Sequence, residues 1–223
     1  MTTGESNPFA DIPDPLRDGA ARAVPEVAAP EGPSPTRAQA SFHRKIALAV
    51  GAAGAVGLAF YLGFRADLML PEVLLQIGLW TLAVPASLAL ALRPRAGGFP
   101  AGVTAVRIGA VSLLGLFIGL ALIPVDGVEV PLSPRTVRFC ISFGSLAGLP
   151  ALLCAGIVLR RAFLNAPILR GAFVGAVCGL AGAISIHSHC PVVSSSHILL
   201  AHGLPIVVFG ALGAVFGAFR GRV

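Results

Sequence analysis

The chain has 223 residues, of which 56% are hydrophobic and only 12% are charged, and its formal net charge is +6. A soluble domain carries about a quarter charged residues, so the composition argues against an ordinary soluble protein. Most of the positive charge lies beside long apolar runs, where it can face anionic lipid, and it gives no reason to expect direct nucleic-acid binding. We therefore expect an all-α polytopic protein that is embedded in a lipid bilayer.

The first 45 residues differ from the rest of the chain, because they hold six of the ten acidic residues and seven of the 18 prolines. A segment with so few large apolar side chains cannot form a core, so we predict a disordered tail at 1–45 and a membrane domain at 46–223. Within the tail, a short apolar stripe has an acidic flank. We take these residues as a candidate partner-binding segment: Phe9, Asp11, Ile12, Asp14, Leu16 and Asp18. Pro13 and Pro15 oppose a helix, so an extended docking mode and a helical one both stay open, as does a solvated leader without function.

Six apolar runs in the remainder are long enough to cross about 30 Å of hydrocarbon. We place the six transmembrane helices at Ile46–Phe64, Leu68–Leu92, Val103–Ile123, Phe139–Leu159, Ile168–Ile186 and Ile198–Phe219. The first run follows a long polar segment and precedes further apolar runs, so we expect a retained membrane helix and not a cleaved signal peptide.

The distribution of Lys and Arg predicts the orientation of these helices. With the N-terminus inside, 13 of the 16 basic residues fall on the cytoplasmic side, and only Arg65, Arg135 and Arg138 fall outside. Such a bias is typical of cytoplasmic loops. We therefore predict a multi-pass protein whose two termini are both cytoplasmic.

Glycines recur at four-residue spacing inside the predicted spans, and this spacing places them on one helix face. The triplet is Gly171, Gly175 and Gly179. The pairs are Gly115 with Gly119, Gly144 with Gly148, and Gly213 with Gly217. Small residues let helix backbones approach closely in lipid, so the pattern favours a compact bundle. Gly is also common in membrane helices in general, so a single pair proves little. Pro205, near the start of the sixth span, predicts an irregular beginning of that helix.

Motifs for catalysis and ion-coupled transport are missing from the sequence. No Asp or Glu lies deep in any predicted span, although ion-coupled transporters usually keep ionisable residues near mid-membrane. A phosphate loop, a nucleophile elbow and a helical HExxH motif are also absent from the sequence. We therefore expect a protein that is not an enzyme and that has no obligatory cofactor.

The segment "HSHCPVVSSSHILLAHG" holds four of the five histidines and one of the four cysteines. In the predicted topology it forms the last outer loop with the adjoining helix ends. Imidazole and thiolate together suit zinc or copper, so the candidate metal or signal-sensing residues are His187, His189, Cys190, His197 and His202. The alternative is that these side chains cap helix ends. The other cysteines, Cys140, Cys154 and Cys178, lie within spans, and we expect inert core thiols there.

The six spans, the His-Cys-Pro turn after the fifth span and a final glycine-rich span ending in arginines resemble the membrane anti-sigma factors of the NrsF type, which are CarR-like in layout. The resemblance covers about residues 45–222. It implies a protein that holds an extracytoplasmic-function sigma factor inactive at the bacterial inner membrane through a short cytoplasmic N-terminal region. It also implies that a signal, such as light, oxidative or metal stress, releases the sigma factor. Cysteines are functionally important in proteins of this type, and Cys190 is the residue here that matches the turn.

From the resemblance and the composition together, the sequence favours a negative regulator of transcription whose partners are a sigma factor and the bilayer. A protein of another class stays open. The alternative is a small metal-handling protein or transporter that uses the histidines and Cys190 of the outer loop, and it predicts bound metal in the purified protein.

Overall fold

The structure is a computed structural model that describes residues 56–92, 102–123, 133–159 and 166–220. The regular elements in these ranges are helical, as the composition predicted. They are α1 (56–62), α2 (Pro71–Leu92), α3 (Val103–Ala121), α4 (Pro134–Leu159), α5 (Pro167–His187), the short α6 (Ser195–His197), a π-helical segment (Ile198–His202) and α7 (Gly203–Arg220).

Five of these helical stretches are long and apolar enough to cross a membrane, and they coincide with the second to the sixth predicted spans. The chain is therefore a membrane protein. Of the first predicted span, only 56–64 lies within the described residues, and α1 accounts for most of that part. The predicted tail, with its candidate partner-binding residues, lies outside the described residues.

Prolines mark the starts of three helices. Pro71, Pro134 and Pro167 are the first residues of α2, α4 and α5, where the missing N–H costs no hydrogen bond and the fixed φ suits a helix. The α4 helix accordingly begins at Pro134 and not at the predicted Phe139. The end of α1 is followed by Gly63, whose φ of 80° is a left-handed conformation that glycine adopts without strain.

The centre of the bundle is α5. It is the most buried of the candidate spans, and it packs most extensively against α7, then against α4 and α2. Glycines make the α5–α7 contact close. A Cβ on Gly171, Gly175 or Gly179 would come within 3.0 Å of the α7 backbone. The predicted glycine face is therefore a helix–helix interface here.

The glycine pattern did not predict every interface. Gly148, on α4, would place a Cβ 2.7 Å from the Cys178 carbonyl oxygen on α5, as the pattern suggests. By contrast, a Cβ on Gly115 or Gly119 meets nothing within 4 Å among the described residues. Spacing alone does not distinguish a packed glycine from one that has no described neighbour, because both occur in membrane helices.

The sixth predicted span begins irregularly, as Pro205 suggested. After the single turn of α6, the chain forms the π-helical segment before it continues as α7. Pro205 has no N–H to donate to the carbonyl four residues earlier, so a regular α-helical pattern could not be completed there. A π-helical turn inside a longer helix is rare and is often found at functional sites.

Candidate functional site

Four side chains with metal-binding or redox chemistry meet at the end of the bundle where α5 finishes. They are Cys140, Cys190, His197 and His202, and we call them the Cys/His cluster. One donor atom from each residue lies within 4.8 Å of the corresponding atom of every other. All four residues are buried, with no more than 3% of their surface exposed. The grouping is therefore a compact interior site.

The closest distances in the cluster converge on Cys190. Its Sγ lies 3.6 Å from Cys140 Sγ and 3.4 Å from His197 Nε2. The four cysteines of the chain are free thiols in the structure. Cys190 lies in the loop between two candidate spans, and its pKa is lowered by the hydrogen bond from the Cys140 thiol and, to a lesser degree, by the rings of His197 and His202. A thiolate at Cys190 is thus stabilised by its neighbours.

Different parts of the chain supply these side chains. Cys140 lies in the second turn of α4, and Cys190 follows α5, where its N–H donates to the Ile186 carbonyl at 2.8 Å. His197 ends α6, and His202 ends the π-helical segment. At about 100° per residue, an α-helix would place residues five apart about 140° from each other. The wider π turn, with its hydrogen bonds between residues five apart, brings the two histidines to one face, and their ring centroids are 5.3 Å apart.

A chain of hydrogen bonds continues from the cluster into the bundle. His202 Nδ1 lies 3.3 Å from His187 Nδ1, and His187 Nε2 lies 2.9 Å from Gln76 Oε1. The Gln76 side chain also donates from Nε2 to the Leu120 carbonyl at 2.8 Å, which fixes the orientation of its amide. Gln76, His187 and His202 are all buried. This polar row is unusual inside a membrane protein, where polar side chains are costly unless they are paired.

Apolar and aromatic side chains enclose the polar row and the cluster. The Trp80 ring stacks on Phe117 with centroids 5.2 Å apart, and its edge contacts the His187 ring at 5.0 Å. Ile186 and Val192 pack around the two cysteines. Such a wall excludes water and so strengthens every polar interaction inside it.

An ion pair lies beside the turn that follows α5. The guanidinium of Arg65 makes two hydrogen bonds to the Asp67 carboxylate, and the Arg65 N–H donates to the Ser188 carbonyl at 3.0 Å. The Arg65 bond holds the pKa of Asp67 below its ordinary value. The backbone hydrogen bond of Arg65 therefore connects the α1–α2 loop to the loop that carries Cys190.

The five residues predicted for this site occupy different positions. Cys190, His197 and His202 come together, and His187 contacts the cluster through His202. His189 is partly exposed and makes its hydrogen bond elsewhere, from Nδ1 to the Gly63 carbonyl at 3.2 Å. A role of these residues in sensing or metal binding stays a prediction.

The sequence interpretation missed two members of the site, Cys140 and Gln76. Cys140 is buried as expected, but it contacts Cys190 and is not an isolated core thiol. One signal could have revealed it: in the predicted topology, Cys140 lies at the outer end of its span, on the same side as the loop with Cys190. Gln76 was detectable as the one carboxamide in the second predicted span.

Together, these features define a polytopic α-helical membrane protein with a buried thiol–imidazole cluster at one end of its bundle. A family described as "NrsF: Negative regulator of sigma F" matches residues 28–222. The chain belongs to this family, and by its description it is a negative regulator of a sigma factor. The description is regulatory, which agrees with the expectation that the protein is not an enzyme. The search of curated proteins and the search of solved structures gave no significant match.

Proposed function

We propose that this protein is a membrane-bound anti-sigma factor that holds an extracytoplasmic-function sigma factor inactive at the bacterial inner membrane. The observation that carries the proposal is the family match over residues 28–222 in a chain with five membrane-crossing helices. A negative regulator that is anchored in a membrane can inhibit a soluble sigma factor by keeping it away from RNA polymerase.

The proposed docking region is the cytoplasmic tail, and the family match divides it in two. The apolar stripe of Phe9, Ile12 and Leu16 precedes the matched residues, whereas 28–45 falls within them. The stripe and its three aspartates would present an apolar surface with negative charge to a basic face of the sigma factor. Such a peptide–surface contact needs no preformed structure in the tail.

The test is capture of the sigma factor on membranes. The full-length chain is produced together with each extracytoplasmic-function sigma factor of its own genome, and the membrane-bound fraction of the sigma factor is measured beside a promoter reporter. We expect capture and a silent reporter for one sigma factor. Deletion of 1–40 should release that sigma factor and restore the reporter.

Smaller changes locate the contact within the tail. Replacing Phe9, Ile12 and Leu16 with alanine should reduce capture, because the apolar stripe is lost. The matched control replaces Glu26 with glutamine, between the apolar stripe and the matched residues, and it should leave capture unchanged. Full capture by a chain that lacks 1–40 would refute the proposed role of the tail. Full capture by the alanine variant would exclude the stripe and leave 28–45 as the docking segment.

The signal is proposed to act on the membrane domain, at the Cys/His cluster. Thiols and imidazoles respond to metal ions and to oxidants, so a light-derived oxidative stress or a metal stress is a suitable input. If this is correct, Cys190→Ser should lock the reporter on or off without changing the amount of protein in the membrane. A normal response of this variant to its stimulus would show that the thiol is structural.

A metal-handling function is the second candidate, and the cluster is the observation that favours it. This function predicts a growth phenotype that depends on metal concentration in cells that lack the protein. Growth that is independent of metal, with a deregulated reporter, would exclude it in favour of the regulator.

A further inference from the structure

We infer that Cys140, Cys190, His197 and His202 form a tetrahedral binding site for one divalent zinc-like cation, with Zn²⁺ as the resident ion. This inference concerns the membrane domain alone. It does not depend on which sigma factor the protein binds, or on whether it binds one.

The distances between donor atoms agree with such a site. With Zn–S bonds of about 2.3 Å and Zn–N bonds of about 2.0–2.1 Å, tetrahedral geometry places two sulfurs about 3.8 Å apart and a sulfur and a nitrogen about 3.6 Å apart. The observed Cys140–Cys190 distance between sulfurs is 3.6 Å, and the distance from Cys190 Sγ to His197 Nε2 is 3.4 Å. All four donors lie within 4.8 Å of one another. The two observed distances lie within about 0.2 Å of the tetrahedral values, and the wider pairs in the cluster must draw together for one ion to bind all four residues.

The hydrogen-bonded row behind the cluster prepares His202 as a ligand. Gln76 Oε1 can only accept, so the neutral His187 ring must carry its proton on Nε2 and offer a lone pair at Nδ1. His202 must then donate from Nδ1 to that lone pair. The remaining nitrogen of His202, Nε2, is consequently a bare lone pair. It is fully buried and has no hydrogen-bond partner among the described residues.

A buried acceptor without a partner is costly, and a metal ion would satisfy it. The arrangement is also the usual one behind a metal-bound histidine, whose second nitrogen donates to a fixed acceptor that sets the tautomer and the ring orientation. Here the acceptor is His187, and Gln76 fixes it in turn. This unpartnered nitrogen, on a fully buried ring, is the observation that favours a bound ion at the cluster.

The charge of the site favours a divalent ion with a preference for sulfur and nitrogen. Two thiolates and two neutral imidazoles carry a charge of −2, so Zn²⁺ gives a neutral complex that tolerates burial. Cu⁺ would leave one negative charge in the apolar interior. Mg²⁺ and Ca²⁺ prefer oxygen ligands, and the cluster offers none. Binding is not a redox step: M²⁺ replaces each proton that the two cysteines still carry, and every displaced H⁺ is released to solvent.

The test measures metal in the purified full-length protein. The chain is produced in zinc-replete medium, purified in detergent without chelator, and its metal content is determined by elemental analysis. We expect about one zinc per chain in the unaltered protein. Cys140→Ser and Cys190→Ser should each lose most of it, because a four-ligand site loses a thiolate.

Two control variants keep the cluster intact. Cys154→Ser changes a cysteine outside the cluster, and His189→Asn changes the histidine that points to Gly63, so both should retain zinc.

Gln76→Leu leaves all four ligands but removes the acceptor that orients His187 and, through it, His202. Its zinc affinity should fall about 10–100-fold, as is usual when an outer-shell partner of a metal ligand is lost.

A second measurement does not depend on whether the variants fold. The unaltered protein is stripped of metal and titrated with Co²⁺, and the expected result is the absorption of tetrahedral Co²⁺ with thiolate-to-metal charge transfer at one equivalent. Absence of both zinc and this spectrum would overturn the inference, as would a Cys140–Cys190 disulfide in protein purified under reducing conditions. Equal zinc content in the cysteine variants and in the unaltered protein would overturn it too.

Discussion

Replacement of Gly179 with alanine should weaken the close helix–helix contact between α5 and α7. A Cβ on Gly179 would lie 2.6 Å from the Pro205 carbonyl oxygen and 2.6 Å from the Ile206 Cα, whereas ordinary contacts begin at 3.4 Å. Both neighbours are backbone atoms, so no side-chain rotation can relieve the overlap. The helices must therefore separate by the difference, about 0.8 Å at this point.

The cost of this separation follows from the close packing on either side of Gly179. When two packed surfaces move apart by about 0.5–1 Å, the atoms that face each other lose about a quarter to a half of their dispersion energy. Overpacking of this kind costs about 1–3 kcal/mol, and each kcal/mol lowers the melting temperature of a chain of this size by about 2–4 °C. Gly175 and Gly171 continue the same interface, so their contacts with α7 should loosen as well. We expect a fall of several degrees in melting temperature.

The assay is thermal unfolding of the detergent-purified protein, followed by the fluorescence of Trp80. Trp80 is the only tryptophan of the chain and is fully buried, so its emission reports loss of the native packing. The matched control is Gly119→Ala, because a Cβ there meets nothing within 4 Å among the described residues. Alanine in a helix is favoured over glycine by about 0.5–1 kcal/mol, so the control should unfold at the same temperature or a higher one. Equal melting temperatures for the two variants would refute the argument from close packing.

Two further predictions concern charged side chains outside the cluster, and the same unfolding assay measures both. Arg170 is buried and donates from Nη1 to the Ala91 carbonyl near the end of α2 at 2.6 Å. Arg170→Ala should therefore lower the free energy of unfolding by about 1.5–3 kcal/mol. An unchanged melting temperature would refute this prediction. The pKa of Asp67 is lower in the folded protein than its ordinary value of 3.8, because Arg65 stabilises the charged carboxylate. The ion pair therefore stabilises the fold fully when the pH is above 3.8, and this stabilisation is lost as the pH falls through the lowered pKa. The difference in melting temperature between the unaltered protein and Asp67→Asn should therefore shrink below about pH 4, and a constant difference would contradict the assignment.

The helices were largely predictable from the sequence because lipid imposes a single strong constraint. A span needs a long apolar run, and the second to the sixth runs match candidate spans to within a few residues. The largest error at a helix start, at α4, arose because polar residues such as Arg135 and Arg138 were assigned to the loop. A helix can extend beyond the hydrocarbon, and Pro134 is a suitable first residue for it.

The site was only partly predictable, since its members come from distant parts of the chain. His197, His202 and Cys190 lie close in sequence and could be grouped by inspection. Cys140 is 50 residues from Cys190, and Gln76 is 111 residues from His187, so their contacts depend on which helices are neighbours. Hydrophobic patterns specify that a helix crosses the membrane, but they do not specify its neighbours. The π turn brings His197 and His202 to one face, and Pro205 was the one residue in the sequence that predicted an irregular helix there.

The glycine interfaces and the Cys/His cluster are parts of one arrangement, because the glycines fix the elements that carry the cluster. Gly182 on α5 lies against the backbone of Gly144, which is one turn after Cys140 on α4. Gly179 lies against Pro205, three residues after His202. Backbone contacts of this kind cannot be shortened and are costly to lengthen, so they hold α4, α5 and the start of α7 at fixed spacing. The backbone positions of the cluster residues are therefore set by helix packing before any ion binds.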